Sequence, residues 1–468
     1  MKGSRHLLEL LIGGFVVLLA MGYFYSPEFE DFLGYAAILF AAVVPSAIWI
    51  NSNSGGMPIF PAAALLYWVY FGVPTMRGVG ESAGYSPQHV LDADLVVALF
   101  LIAGTVTWSQ IFRPSRKPKR ETAASFSTNK RAVIALIAIG LGMGISYYAL
   151  IFSSFASLMG NANGIIRAVL LGPMVLACYF LGYGTAKKMF SGTQWTMIVT
   201  VLVAILLFQL GGQQIVTEAT EVGAVLMGYT YTARRMPWVI ILVMAVVISV
   251  LQAGKGEIRA RYMGVTLTAQ ATPEMVANWF EAGIDTISNN KQHNSITDRA
   301  ALLTQIIRIQ QWTPDKVPYL EGETYTYLPS MLVPRIFNPN RSSSQVVMAL
   351  LDVRYGFLSR DQTANTAVGV NILCEAFANF GYLGAIAIGA LFGLFTGYFT
   401  RISSNREATS LPTLFAIAAM VTVLDLEADL SYLLTTFFQS SVAILALYAA
   451  LRLAFGTGRP ALKLKELA

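Results

Sequence analysis

Long apolar runs with no ionisable side chain limit this chain more than any other feature. Leu95–Phe112, Ala132–Ser153, Trp195–Leu210 and Pro237–Leu251 each contain no Asp, Glu, Lys or Arg. A helix rises about 1.5 Å per residue and a bilayer's hydrocarbon core is about 30 Å thick, so roughly 20 residues span it. Backbone polar groups find no water at that depth, and an α-helix satisfies them within the segment. The runs recur along the chain, which therefore reads as an all-α polytopic membrane protein with about twelve transmembrane helices. They are expected near 7–23, 33–51, 57–73, 95–112, 132–153, 168–186, 194–211, 213–232, 236–252, 371–400, 411–426 and 436–454.

Composition removes the soluble alternative. Charged residues make up 12% of the chain against 55% hydrophobic, whereas a soluble surface commonly uses about a quarter. The net charge of +6 is not spread as a nucleic-acid-binding surface would spread it. Seven of the basic residues lie in Arg113–Arg131, with pairs at Lys187/Lys188, Arg234/Arg235 and Arg401/Arg406. Short loops on the other side hold only Arg77 and Arg167, so the positive-inside rule places both termini in the cytoplasm.

Three zones follow. Residues 1–252 hold helices one to nine and the basic cytoplasmic loop 113–131, 253–370 form one large outer loop, and 371–468 hold the last three helices and a cytoplasmic tail. No nucleotide-binding loop or zinc-binding spacing appears, and neither a metal nor another cofactor is expected. Cys178 and Cys374 fall in apolar helices and read as packing residues. His6, His89 and His293 read as surface histidines, with His293 the one placed to act as a base.

The large loop is not featureless. Ser295 and Asp298 can cap a helix carrying Leu302, Leu303, Ile306 and Ile307, which reads as an amphipathic helix lying on the transmembrane bundle and ending near Trp312. Beyond it, VPYLEGETYTYLPSMLVPRIFNPN mixes aromatics, prolines and polar groups without a period.

Charge gathers in a few places. GKGEIRARYMG, just past the ninth helix, supplies Lys255, Arg259 and Arg261 with Glu257. A wider set comprises Arg299, Glu323, Arg335, Arg354, Arg360 and Asp361. Across Lys255–Arg360 arginines outnumber lysines eight to three, a bias that suits phosphate or pyrophosphate because the guanidinium fork matches their oxygens. The same bias also suits a membrane interface, where long stems snorkel. Glu375 opens a long apolar helix near Asn371 and Asn379, and Asp425, Glu427 and Asp429 lie at the next outer end, where they either line the same vestibule or face water. Glu218 and Glu221 lie three apart on one helical face, where carboxylates avoid lipid.

Four stretches carry a family resemblance: RRMPW before the ninth helix, GKGEIRARY after it, VPYLEGETYTYLPSMLVPRIFNPN, and RYGFLSRDQTANTAVGVNILCEAFANFGYLGAIAIG. Over roughly residues 195–400 the chain resembles the bacterial oligosaccharide repeat-unit polymerases, the O-antigen polymerases. The resemblance implies a membrane glycosyltransferase of GT-C-like architecture in the bacterial inner membrane, with the large loop in the periplasm. Its donor and acceptor would be oligosaccharides on undecaprenyl pyrophosphate, and membrane lipids would be constant neighbours. A flippase and a chain-length regulator of the same pathway are candidate partners. Arg259 and Arg261, with Arg299 or Arg335, would then hold the leaving pyrophosphate, with Lys255, Arg354 and Arg360 as further substrate contacts. Glu375 and Glu323 are the candidates for the base, and Tyr325 and Tyr327 for stacking on sugar rings or anchoring at the interface. A lipid-to-lipid glycan ligase and a precursor transporter or flippase remain alternative readings.

Overall fold

A computed structural model describes residues 2–52, 56–112, 125–126, 129–151, 163–212, 215–233, 235–262, 270–289, 301–333, 338, 341–342, 344–364 and 367–455. The chain is an all-α, multi-pass membrane protein. The described residues form no named strand, only an isolated antiparallel bridge between Ser125 and Ser410. The main helices are α1 (Lys2–Tyr25), α2 (Phe29–Ser52), α3 (Ile59–Met76), α4 (Pro87–Ile111), α5 (Lys130–Ile151), α6 (Asn163–Ala186), α7 (Gly192–Gln209) and α8 (Ile215–Ala233). They continue with α9 (Trp238–Tyr262), α10 (Thr272–Ser288), α11 (Ala301–Trp312), α12 (Ser344–Arg354), α13 (Ile372–Ser403), α14 (Leu411–Val423) and α15 (Leu430–Phe455). Nine of the described helices are long and apolar enough to cross a membrane, and the apolar stretches Leu170–Ala186 and Leu411–Val423 are shorter.

Local chemistry sets the helix starts. Ser86 precedes α4 and accepts from the His89 N–H, with Pro87 in the first turn where no N–H is missed. Ser191 and Gln194 close a reciprocal capping box on α7. Asn371 begins α13 by accepting from Leu373 N at 2.8 Å.

The chain forms two compact units. The first comprises Met1–Glu121, Thr297–Arg406 and Ala418–Phe438; the second comprises Thr122–Ile296, Glu407–Ile417 and Gln439–Ala468. The hydrophilic stretch 253–370 is therefore divided between them.

In the first unit α4 and α13 pack through their backbones. A Cβ on Gly389 or Gly393 would run into the carbonyl of Phe100 or Gly104, and one on Gly397 would press on Ile111. This small-residue stripe at every fourth position is how helices approach closely where no hydrophobic effect drives them together. Phe60, Phe100, Trp108 and Phe392 fill the adjoining core, with Phe60 and Trp108 stacked at 5.9 Å. α11 buries Leu302, Leu303, Ile306 and Ile307, the face read from its spacing.

In the second unit Gly182 and Gly228 bring α6 and α8 together in the same way. Here the ninth helix departs from expectation. Instead of ending near Leu251 it continues through GKGEIRARY to Tyr262. Gly254 packs on Gly283 and Trp279 of α10, so its lack of a side chain serves close approach and does not break the helix. Trp279 is fully buried and donates its indole N–H to Leu251 O at 2.6 Å. The helix α10, unanticipated from sequence, buries Met275, Val276, Trp279, Ala282 and Gly283 along one side.

Candidate functional site

The first unit assembles a polar site on the opening turns of α13. This helix is broken at Phe380 and Gly381, where Gly381 has φ +61° and ψ −142°, a backbone state that only glycine adopts without strain. A break withdraws the N–H groups that would have served the preceding carbonyls. Those of Ala378 and Asn379 instead accept from Leu320 N at 3.0 Å and Glu321 N at 3.2 Å. The segment after α11 is thereby laid against the start of α13.

Asn379 fixes the rest of that segment. It is fully buried, and its Oδ1 accepts from Gly322 N at 2.9 Å. Its Nδ2 donates to Thr324 Oγ1 and to Glu375 O, each at 2.8 Å. Gly322, at φ +89°, turns the chain into a short 3-10 helix, Glu323–Tyr327, and a Cβ there would press on the Phe380 ring at 3.3 Å. Arg341 donates to the Met331 and Val333 carbonyls and holds the end of the next short helix, Leu328–Leu332.

Beneath this cover lies Glu375, with no exposed surface. Its Oε2 accepts from Leu430 N at 2.8 Å, a first-turn N–H of α15, where the helix dipole favours negative charge. No hydrogen bond of good geometry reaches its Oε1 or the buried Tyr325 hydroxyl, and Thr324 and Asn379 are the polar side chains that interact with the two groups. Burial, then the charge of Glu375, push the Tyr325 phenol up. Asp429, also fully buried, is the other carboxyl within electrostatic reach of Glu375. Its Oδ1 accepts from Ser431 Oγ at 2.6 Å and Tyr432 N at 2.7 Å, capping α15, while Oδ2 is unpartnered. Burial pushes the Asp429 carboxyl up, offset in part by those hydrogen bonds.

At the edge, Glu323 and Arg354 pair at 2.7 Å, each with 38% of its side chain exposed. Asp352, in the last turn of α12, is fully buried and accepts from Val368 N at 2.9 Å, which ties the approach to α13 back to α12. Burial pushes its carboxyl up to about 6.

The expected site residues are thus distributed. Glu375, Glu323, Tyr325 and Arg354 come together in the first unit, Tyr327 is half-buried at the end of the same 3-10 helix, and Arg360 and Asp361 are exposed. Arg259, Arg261 and Lys255 belong to the second unit. Arg259 is exposed on the last turn of α9, Arg261 pairs with Glu257 at 2.8 Å, and Lys255 is half-buried within electrostatic reach of Glu218. Arg299, Arg335, His293, Ser295 and Asp298 lie outside the described residues. Among the acids ahead of α15, Glu427 is exposed whereas Asp429 reaches the Glu375 site. The described residues contain no group of three or more His, Cys, Asp or Glu arranged to hold a metal. No protein-family model, curated protein or solved structure matches the chain.

Chemically, the arrangement offers one carboxylate oxygen fixed by a helix N-terminus and a second held ready for a proton. A phenol lies in the same electrostatic neighbourhood, and a guanidinium stands at the rim. That combination can remove a proton from a hydroxyl and receive an anion nearby.

Proposed function

We propose that this chain polymerises oligosaccharide repeat units carried on undecaprenyl pyrophosphate, at the outer face of a bacterial inner membrane. The reading includes twelve crossings, with α1–α9 and α13–α15 as the membrane helices, both termini in the cytoplasm, and a GT-C-like catalytic architecture. The observation that carries it is Glu375: a buried carboxylate at the mouth of a long apolar helix, oriented through Oε2 and uncommitted at Oε1.

In this mechanism an acceptor sugar hydroxyl gives its proton to Glu375 Oε1 and its oxygen attacks the donor anomeric carbon. The new carbon–oxygen bond forms as the bond to the pyrophosphate oxygen breaks, and undecaprenyl pyrophosphate leaves with the electron pair. Direct attack inverts the anomeric centre. Arg354, released from Glu323, meets the departing phosphates at the rim, and guanidinium is suited to that role because it stays charged. Arg259, Arg261, Lys255, Arg299, Arg335 and Arg360 remain proposed phosphate contacts, and Tyr327 a sugar contact. Tyr325 remains a proposed sugar contact through its ring, while its hydroxyl is buried in electrostatic reach of Glu375. Because Glu375 is covered, the Glu323–Tyr327 turn must lift for substrate to enter.

The test uses purified full-length protein and a synthetic polyprenyl-pyrophosphate oligosaccharide. A ladder of lengthening chains, lost in Glu375→Gln while that variant stays folded, supports the proposal. Transfer only to a different lipid acceptor identifies a ligase. Passage of the lipid across a vesicle membrane with no new glycosidic bond identifies a transporter.

A further inference from the structure

The second unit holds a buried polar cluster that the proposed reaction does not use. α8 presents Glu218 and Glu221 from one face, at 8% and 1% exposure, and α7 ends at Gln209, at 3%. Gln209 Nε2 donates to Glu221 Oε1 at 2.9 Å and lies 3.7 Å from Met174 Sδ. Four oxygens have no hydrogen-bond partner: both of Glu218, Oε2 of Glu221 and the side-chain carbonyl of Gln209. The Gln209 carbonyl is the informative one. Glu221 already takes its amide hydrogen, so this neutral acceptor stands ready beside the acids without being one of them.

Charge defines what belongs there. Among the described residues, the titratable groups in electrostatic reach of the two carboxyls are Lys255 of α9 and the buried Cys178 of α6. With both carboxylates and Lys255 ionised, these groups leave one negative charge uncompensated. Unpaired buried charge is costly, so the cluster favours one added positive charge. Oxygen-only acceptors select hard cations, while a divalent ion would need more oxygens than these and would overshoot the charge.

We propose that Glu218, Glu221 and the Gln209 carbonyl bind one small monovalent cation, a proton or a sodium ion. The site lies in the second unit and stands whether or not the first unit transfers glycans.

Infrared difference spectroscopy on the reconstituted full-length protein tests it. Exchange of choline for sodium at fixed pH should shift carboxylate bands if sodium binds; a pH step alone should exchange carboxyl for carboxylate bands if the ligand is a proton. In either case the part of the difference spectrum owed to these two groups is missing in Glu218→Gln and Glu221→Gln. Because those variants can fail to fold, labelling of the native protein with a hydrophobic carbodiimide, located by peptide mass spectrometry, gives a second readout. Modification at Glu218 or Glu221 that sodium suppresses identifies sodium, and modification that only rising pH suppresses identifies the proton. Native difference spectra that match those of both variants under sodium exchange and under the pH step, with neither glutamate modified, overturn the proposal.

Discussion

Replacing Asn379 with leucine should release the cover of the Glu375 site without unfolding the protein. The leucine side chain is close in volume but removes three hydrogen bonds, those to Gly322 N, Thr324 Oγ1 and Glu375 O, all at 2.8–2.9 Å. The first two tie the segment to α13 and the third lies within α13, so at roughly 1 kcal/mol net for each neutral bond docking of the segment loses about 2 kcal/mol. Every 1.4 kcal/mol is about tenfold, so the open population rises about thirtyfold. Hydrogen exchange on the full-length protein reads this directly. Amides of Leu320–Tyr327 should exchange about thirtyfold faster, while those of the α4 and α13 contact at Gly104 and Gly393 keep their native rates. Unchanged exchange in Leu320–Tyr327, or a uniform rise across the chain, would refute the idea that Asn379 acts as a local latch.

Asp352 gives a pH prediction. Its folded carboxyl titrates at about 6, above its ordinary value of 3.8, so the stability it contributes is complete below about 4 and is lost as pH rises to about 6. Asp352→Asn should flatten thermal stability across that window, and an unaltered slope would remove Asp352 as the cause. Gly393→Ala should lower stability by about 1–3 kcal/mol because the new methyl meets the α4 backbone, whereas Gly142→Ala, which meets nothing within 4 Å, should raise it by up to about 1 kcal/mol. Melting of the two variants side by side checks the sign of each. Breaking the half-exposed Glu323–Arg354 pair with Arg354→Gln should cost at most about 1 kcal/mol of stability. Elongation should fall far more than that loss explains, and equal stability with full elongation would free Arg354 of its proposed part.

Much of this architecture is written in local pattern. The uncharged runs predict helices because the bilayer imposes one length and one solution for the backbone. The face Leu302–Leu303–Ile306–Ile307 predicts α11 because its period survives burial. Glycine was the ambiguous letter. In GKGEIRARY it reads as a helix exit, yet Gly254 is where α10 crosses, and sequence alone does not distinguish a backbone that bends from one that is approached. α10 itself carried a readable period, Met275, Val276, Trp279, Ala282 and Gly283, inside a stretch whose charges drew attention elsewhere. At the candidate site Glu375 was conspicuous as an acid at an apolar helix start. The latch role of Asn379 was not, because it depends on carbonyls freed by the break that follows it. Asp429 reads in the sequence as one of three acids that either line the vestibule of Glu375 or face water, and only the fold separates it from Glu427.

The interruption at Phe380–Gly381 has a mechanical consequence. As one straight rod, the 32 residues of α13 would reach roughly 48 Å, well beyond a hydrocarbon core of about 30 Å. Divided at the glycine, the helix becomes a bilayer-length shaft with a short head that bears Glu375 and Asn379. The shaft alone then has to match the hydrocarbon thickness, while the carboxylate on the head is aligned by its own hydrogen bond from Leu430 N and by the segment docked through Asn379.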